Sequence, residues 1–303
     1  MTGRAGRVLP RPGPTRVGVW LRETADRLRA AGLATAHQDA EILCGQVLDV
    51  SRLALHLHPE HEMGADHRAR LDALVERRLG HEPLQYILGE ESFRGLTLAV
   101  GPGVFIPRPE TELLVQRALA ACPAGPAVAV DLCTGSGAVA CGLAAGRPAL
   151  SVWAVDLSPL AVACARANVV RLGLGGRVRV LEGDLTTPLA DPDLGGGLVG
   201  RVDLVVANPP YIARPALAEL PAEVRVFEPA LALDGGSAGL VVVTRILDEA
   251  PTWLRPGGRL LIEIGHAHAG ALRRRLAGDA RYGTPTFTRD LLGHERILDV
   301  ECL

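Results

Sequence analysis

Apolar residues recur along this chain first at helical spacing and then in short continuous runs, and the change falls near residue 109. Trp20, Leu21, Ala25 and Leu28 precede Gly32 as one helical stripe. Ala40, Leu43 and Val47 form a second, after a candidate cap near Asp39, and Leu71, Leu74, Val75 and Leu79 form a third that stops at Gly80. This predicts a small helical domain over residues 17–83. Two β-like runs, Leu84–Leu88 and Leu96–Val100, lie in a stretch punctuated by proline and glycine and predict a hairpin linker over 84–108. From 109 to 303, apolar runs at Ala127–Leu132, Ser151–Val155, Val178–Leu181, Val202–Ala207 and Arg259–Ile264 read as buried strands. A helix over Ala138–Ala145 and another from Ser158 (N-cap) and Pro159 (N1) to near Gly173 alternate with them. Such alternation predicts an α/β fold with a parallel, doubly wound sheet. Residues 186–200 read as a Gly/Pro-rich loop. Residues 1–16 are rich in Arg, Pro and Gly without acids, and are expected to be a disordered tail.

Composition narrows the class. At 303 residues with 48% hydrophobic content, the chain can bury a sizeable core and fits about two domains. The net charge of -2 provides no global basic field for a nucleic-acid backbone, although a local patch remains open. All basic residues are arginine. Six scattered cysteines without a CxxC pair suggest reduced thiols and a cytoplasmic location. No run reaches the roughly 18–20 apolar residues of a membrane span, and no signal-peptide core is visible, so no membrane association is expected. His56, His58 and His61 with Glu62 match no standard zinc spacing and read as exposed turn histidines, so no metal is expected.

The chemistry concentrates in two loops. Asn208-Pro209-Pro210-Tyr211 follows the run Val202–Ala207. Prolines lack N–H groups and hold the preceding residue extended. The loop therefore offers two acceptors, the Asn208 side-chain oxygen and the Pro209 carbonyl, suited to a planar NH2 group, with an inert rigid turn as the competing reading. Asp131 through Gly137 joins the first strand of the sheet to its helix, and its glycines permit close backbone approach to a ligand. Asp156 closes the next strand, 25 residues later, where an acid can accept hydrogen bonds from ribose hydroxyls. These features fit a nucleoside cofactor. NAD is not excluded by the loop itself, because Ala140 in the third glycine slot is tolerated; the Asn-Pro-Pro-Tyr loop argues against a dehydrogenase.

Taken together, the segment from Asp131 through Asp156 to Tyr211 resembles Rossmann-like S-adenosylmethionine-dependent amino-methyltransferases. The stretches His81–Glu90 and Gly103–Glu112, with Glu228–Gly236 and Leu254–Gly258, narrow it. They closely resemble the bacterial release-factor glutamine N5-methyltransferases of the HemK/PrmC family, over roughly residues 17–300. The resemblance implies S-adenosyl-L-methionine across Cys133, Thr134, Gly135, Ser136 and Gly137, with Asp156 at the ribose and Asp184 and Leu185 beside the adenine. Its methyl group would point at Asn208. Asn208 and Pro209 would hold the acceptor amide as the catalytic pair, with Pro210 and Tyr211 completing the substrate loop. Phe105, Arg108 and Glu110 would shape the rim. Cys133 departs from the glycine usual in relatives, which puts the local backbone in question. The implied substrate is the glutamine of the Gly-Gly-Gln loop of class I peptide-chain release factors, gripped by the helical domain, with no direct nucleic-acid partner. Three alternatives compete with it: a ribosomal-protein glutamine methyltransferase, a DNA adenine N6-methyltransferase, which must flip its base, and a non-catalytic interaction protein.

Overall fold

The computed structural model describes residues 15–195 and 197–303, and the chain divides into two compact units that meet at Leu88 and Gly89. Among the described residues, no helix is long and apolar enough to cross a membrane.

The first unit is helical. A two-residue strand β1 (Thr15–Arg16) pairs antiparallel with β2 (Glu62–Met63) and leads into helix α1 (Val17–Ala30). The expected tail is therefore shorter than 16 residues at its inner end: Thr15 is held by the ladder and accepts a hydrogen bond from Arg68 (2.9 Å). The rest of that expectation, residues 1–14, lies outside the described residues. Helices α2 (Ala36–Leu48), α3 (Arg52–Leu57) and α4 (Ala65–Leu79) follow. Val17, Trp20, Leu21, Ala25 and Leu28 of α1 share one core with Ala40, Leu43 and Val47 of α2 and Leu71 and Val75 of α4. This is the stripe that helical periodicity predicts.

Two local expectations fail here. Asp39 is no cap; it sits inside α2, buried, and pairs with buried Arg78 of α4 at 2.7 Å. A charge on the core face of a helix is tolerated only when another element supplies its partner, and that partner is 39 residues away. Leu84–Leu88 is a one-turn helix, α5, rather than a strand. The Pro83 carbonyl accepts from Tyr86 and Ile87, whose side chains are buried, and in five residues the helical and extended periods are indistinguishable. His56 turns onto buried Glu41 (2.7 Å), beside His37 and Arg52. Burial alone would raise the Glu41 pKa, but the hydrogen bond and charge of Arg52 and the two histidines lower it.

The second unit opens with the hairpin β3 (Glu90–Phe93) and β4 (Leu96–Ala99). Arg94 and Gly95 both have positive φ (50° and 75°), as a two-residue hairpin turn with the strands' own twist requires. Helix α6 (Pro109–Ala121) precedes the alternating elements β5 (Ala127–Leu132), α7 (Ala138–Gly146), β6 (Leu150–Asp156), α8 (Pro159–Arg171) and β7 (Val178–Glu182). The Ser158 side chain caps α8 by accepting from Ala161 N–H. After the short turn of α9 (Pro192–Gly195) come β8 (Val202–Ala207), α10 (Ala222–Phe227), α11 (Val241–Glu249), β9 (Leu254–Glu263), α12 (Ala269–Leu276), β10 (Thr286–Arg289) and β11 (Glu295–Glu301).

The sheet has seven strands in the order β10-β11-β9-β8-β5-β6-β7. Five run parallel, while β11 and β10 are antiparallel additions that the apolar pattern did not announce. Its two faces carry separate cores, one closed by α6, α7 and α8 and the other by α11 and α12. From β5 the chain steps outward to β6 and β7, then returns to place β8 on the other side of β5. The loops leaving β5 and β8 therefore diverge, and a crevice opens above the carboxyl ends of these strands.

Removing one partner of a buried ion pair strands the other, at a cost of about 3–5 kcal/mol. Arg78→Leu is therefore expected to destabilise the helical unit by that amount in denaturant unfolding, and Asp39→Leu added to it should recover most of the loss.

Candidate active site

The loop after β5 is built around a buried acid. Asp131 is fully buried, and its Oδ2 accepts from the Thr134 hydroxyl (2.5 Å) and from Ala140 N–H (3.0 Å) in the first turn of α7. One carboxylate thus ties the loop down and satisfies a donor at the helix start. Its Oδ1 has no partner among the described residues. Burial pushes its pKa up to about 7 against the downward pull of those two donors. Cys133 adopts φ 60°, the left-handed conformation that glycine takes freely. The departure from glycine thus leaves the backbone in the glycine-like form, at a strain of about 1–2 kcal/mol. Burial also raises the Cys133 thiol pKa, with the neighbouring acids adding to the effect. Gly135 has φ 58°, and a Cβ there would meet open space, so nothing of the protein fills the approach to its backbone. Gly137, also left-handed, is packed instead: a Cβ would lie 3.1 Å from that of Ala165.

Asp156 stands at the end of β6. Its two oxygens accept from Gly135 N–H (2.8 Å) and Ser158 N–H (2.9 Å). Burial raises its pKa, while those backbone donors and that of Leu157 lower it. Asp184 is bound bidentately by Arg245 of α11 (3.0 Å each), and Leu185 beside it is buried with φ 48°.

The tetrapeptide leaves β8 directly opposite. Asn208 Nδ2 donates to Thr111 Oγ1 of α6 (3.1 Å), and among the described residues its Oδ1 has no protein partner. Tyr211 donates its hydroxyl to Glu263 Oε1 (3.2 Å) at the end of β9. Desolvation by burial raises the Tyr211 pKa, and the Glu263 charge adds to the rise. Behind the loop, a Cβ on Gly235 would come within 2.8 Å of the Pro210 carbonyl, and one on Gly239 would collide with that of Tyr211. Glycines in that segment let a second stretch of backbone brace the tetrapeptide.

These pieces line one cavity of about 320 Å³. Cys133, Thr134, Gly135, Ser136, Asp156, Asp184, Leu185, Asn208, Pro209, Pro210 and Tyr211 all reach it; Gly137 does not. Phe105 lines it too, with the Arg108 guanidinium 5.0 Å from its ring centroid. Arg108 itself and Glu110 lie outside the lining: Arg108 pairs with buried Glu228, which also accepts Ile106 N–H (3.2 Å) and so fixes the 105–108 loop from behind. The sequence assigns no role to Thr111, Arg245, Glu228 or Glu263, although Thr111 and Glu228 lie in the family-like stretches Gly103–Glu112 and Glu228–Gly236, and Glu263 is a lone acid in the apolar run Leu260–Ile264.

Two family profiles match the chain, the PrmC N-terminal domain over residues 19–89 and the Methyltransferase small domain over 96–271. A release factor glutamine methyltransferase from Gloeobacter violaceus is 41% identical, with 92% of this chain and 97% of the relative covered. One from Mycolicibacterium smegmatis is also 41% identical, with 94% and 97% covered. The chain belongs to the release factor glutamine methyltransferase family. It is accordingly a methyltransferase. The fold is shared more widely: the hMettl16 catalytic domain, solved with the MAT2A 3′UTR hairpin 6, superposes with a TM-score of 0.55 at 18% identity, covering 76% of this chain and 81% of that one.

Asp131 supplies a pH test of the family's donor loop in this chain. Its folded pKa of about 7 lies above the ordinary carboxyl value near 3.9. Between those values the folded state holds a proton that the unfolded state has lost, so this group's contribution to stability falls as pH rises from about 4 to 7 and is flat above. Asp131→Asn lacks that slope. Urea midpoints across the window should show the variant gaining on the parent as pH rises, with the loop still held by the amide oxygen.

Proposed function

We propose that this chain transfers a methyl group from S-adenosyl-L-methionine to the side-chain nitrogen of the glutamine in the Gly-Gly-Gln loop of class I peptide-chain release factors. The observation that carries the reading is the Asn208 amide: its nitrogen is tethered to Thr111, which leaves Oδ1 as an acceptor without a partner among the described residues, beside the cavity that Cys133–Ser136 also line. The residues present fit the donor. Gly135 leaves its backbone open to a ligand, Asp156 presents a carboxylate beyond it, and Asp184 and Leu185 close the far side of the cavity. When bound, S-adenosylmethionine supplies an electrophilic methyl group on a sulfonium.

A carboxamide nitrogen is a poor nucleophile because its lone pair is delocalised into the carbonyl. In this reading Asn208 Oδ1 and the Pro209 carbonyl each accept one N–H of the substrate amide and so fix the direction of its lone pair. Orientation of this kind supplies much of the rate in a displacement that needs no strong base or covalent intermediate, the methylated nitrogen then releasing one proton to water. The same acceptors offset positive charge growing on nitrogen, as donors do for an oxyanion. Phe105, Pro229 and Leu231 give the cavity apolar walls that keep water from the reacting amide. The curated relatives' names support a release-factor substrate, and the net charge of -2 provides no global basic field for a DNA substrate.

Transfer of labelled methyl groups tests the proposal directly. Label is expected on a purified class I release factor and not on its Gln→Ala variant, on ribosomal proteins or on DNA. Label on DNA, or persisting on the Gln→Ala protein, overturns it. Asn208→Ala should lower turnover on the order of 10²-fold, with donor binding by calorimetry unchanged.

A further inference from the structure

We propose that Arg245 of α11 is a positioning residue: it holds the Asp184 carboxylate to one edge of the donor's base, so that the site takes adenine over a base with oxygen in place of the amino group. The inference rests on the placement of the adenine beside Asp184 and Leu185. Val242 and Arg245 lie one turn apart on α11, and both line the cavity. Arg245 donates from Nη1 to Asp184 Oδ1 and from Nη2 to Asp184 Oδ2, at 3.0 Å each. Its Nη2 also meets Glu249 Oε1 (3.3 Å), one turn further along the helix, and Glu249 Oε2 accepts the Thr186 hydroxyl (2.7 Å). Residues 184 and 186 are thus both tied to α11. Leu185 between them is buried with φ 48°, a conformation that leucine does not adopt freely. The start of the loop is fixed separately, by Gly183 N–H on the Asp156 carbonyl (2.9 Å).

Stability does not account for this arrangement. The Arg245 and Asp184 side chains are 45% and 47% exposed, and ion pairs so exposed contribute little to folding. Geometry does. A guanidinium that grips both oxygens fixes the plane of a carboxylate as well as its position. A carboxylate has about four acceptor sites; the fork takes two of them, and each oxygen keeps one. A base amino group has a hydrogen to give to such a site. A base oxygen in the same place has none and would face the acid lone pair to lone pair. A carboxylate free to swing into solvent could avoid that clash, whereas one held by Arg245 cannot. The grip therefore turns an acid that would tolerate either base into one that discriminates between them.

Calorimetric binding of S-adenosylhomocysteine and of its inosine counterpart tests this without any methyl acceptor, and so independently of the release-factor assignment. The parent should prefer the adenosine form by about ten- to a hundredfold, the worth of one hydrogen bond to a charged acceptor. Asp184→Ala should abolish the preference. Arg245→Met keeps the length of the side chain without the fork and should cut the preference to about threefold or less. Arg245→Lys keeps the charge but not the two-point grip and should do the same. Melting temperatures of both Arg245 variants should stay within about 4 °C of the parent's, as an exposed pair allows. A loss of base preference in a protein of parent-like stability is an outcome that a merely structural role would not produce. Parent-like preference in either Arg245 variant overturns the proposal. An equal loss of affinity for both ligands also overturns it, because an arginine that touches the base itself would act that way. A parent that binds both ligands alike, or a preference that survives Asp184→Ala, overturns the adenine placement and the proposal with it. A preference lost in Asp184→Ala but kept in Arg245→Met removes the positioning role alone.

Discussion

The parallel pairing of β5 with β8 is the constraint on which the site depends. Its register sets Leu132 beside Ala207, so the next residue of each strand, Cys133 and Asn208, begins its loop at the same level of the sheet. Both strands are buried on both faces, and slipping either by one residue would exchange which side chains meet each core. Because the chain steps from β5 to β6 in one direction and reaches β8 from the other, the two loops part above the pair. The donor loop and the tetrapeptide thus face one cavity as a consequence of strand order.

Two buried acids then hold the loops in place. Asp131, one residue from the end of β5, takes two donors on one oxygen, and on the tetrapeptide side Glu263 takes the Tyr211 hydroxyl. Each keeps one oxygen without a partner among the described residues. Burying a carboxyl in this way costs stability. Loops that must leave a ligand-sized space between them cannot be held by packing across that space, so polar ties from beneath take over.

Legibility in the sequence followed the range of the interactions. Ala127–Leu132 and Val202–Ala207 were readable to the residue because continuous apolar runs bounded by polar turns encode buried strands locally. The Ser158 cap with Pro159 at N1 was readable for the same reason. Leu84–Leu88 was misread because five residues carry too little periodicity, and Asp39 because its partner Arg78 lies on another helix. Strand β10 escaped because Thr286–Arg289 is short, polar and only partly buried, and β11 because Glu295, Arg296, Asp299 and Glu301 break up its apolar residues.

For the site, the chain by itself determined the residue types that meet substrate and donor: the glycine-bearing loop, Asp156 and the Asn-Pro-Pro-Tyr turn. Those depend on local backbone freedom and local donor and acceptor chemistry, which a few adjacent residues specify. Only the tertiary structure decided what orients them. Thr111, Glu263, Arg245 and Glu228 act across separations of 52 to 122 residues. Apart from Glu263, a lone acid in an apolar run, nothing in their immediate neighbours distinguishes a buried positioning group from an ordinary polar residue. Burial supplies that distinction, and burial is settled only when the sheet closes and the helices cover it.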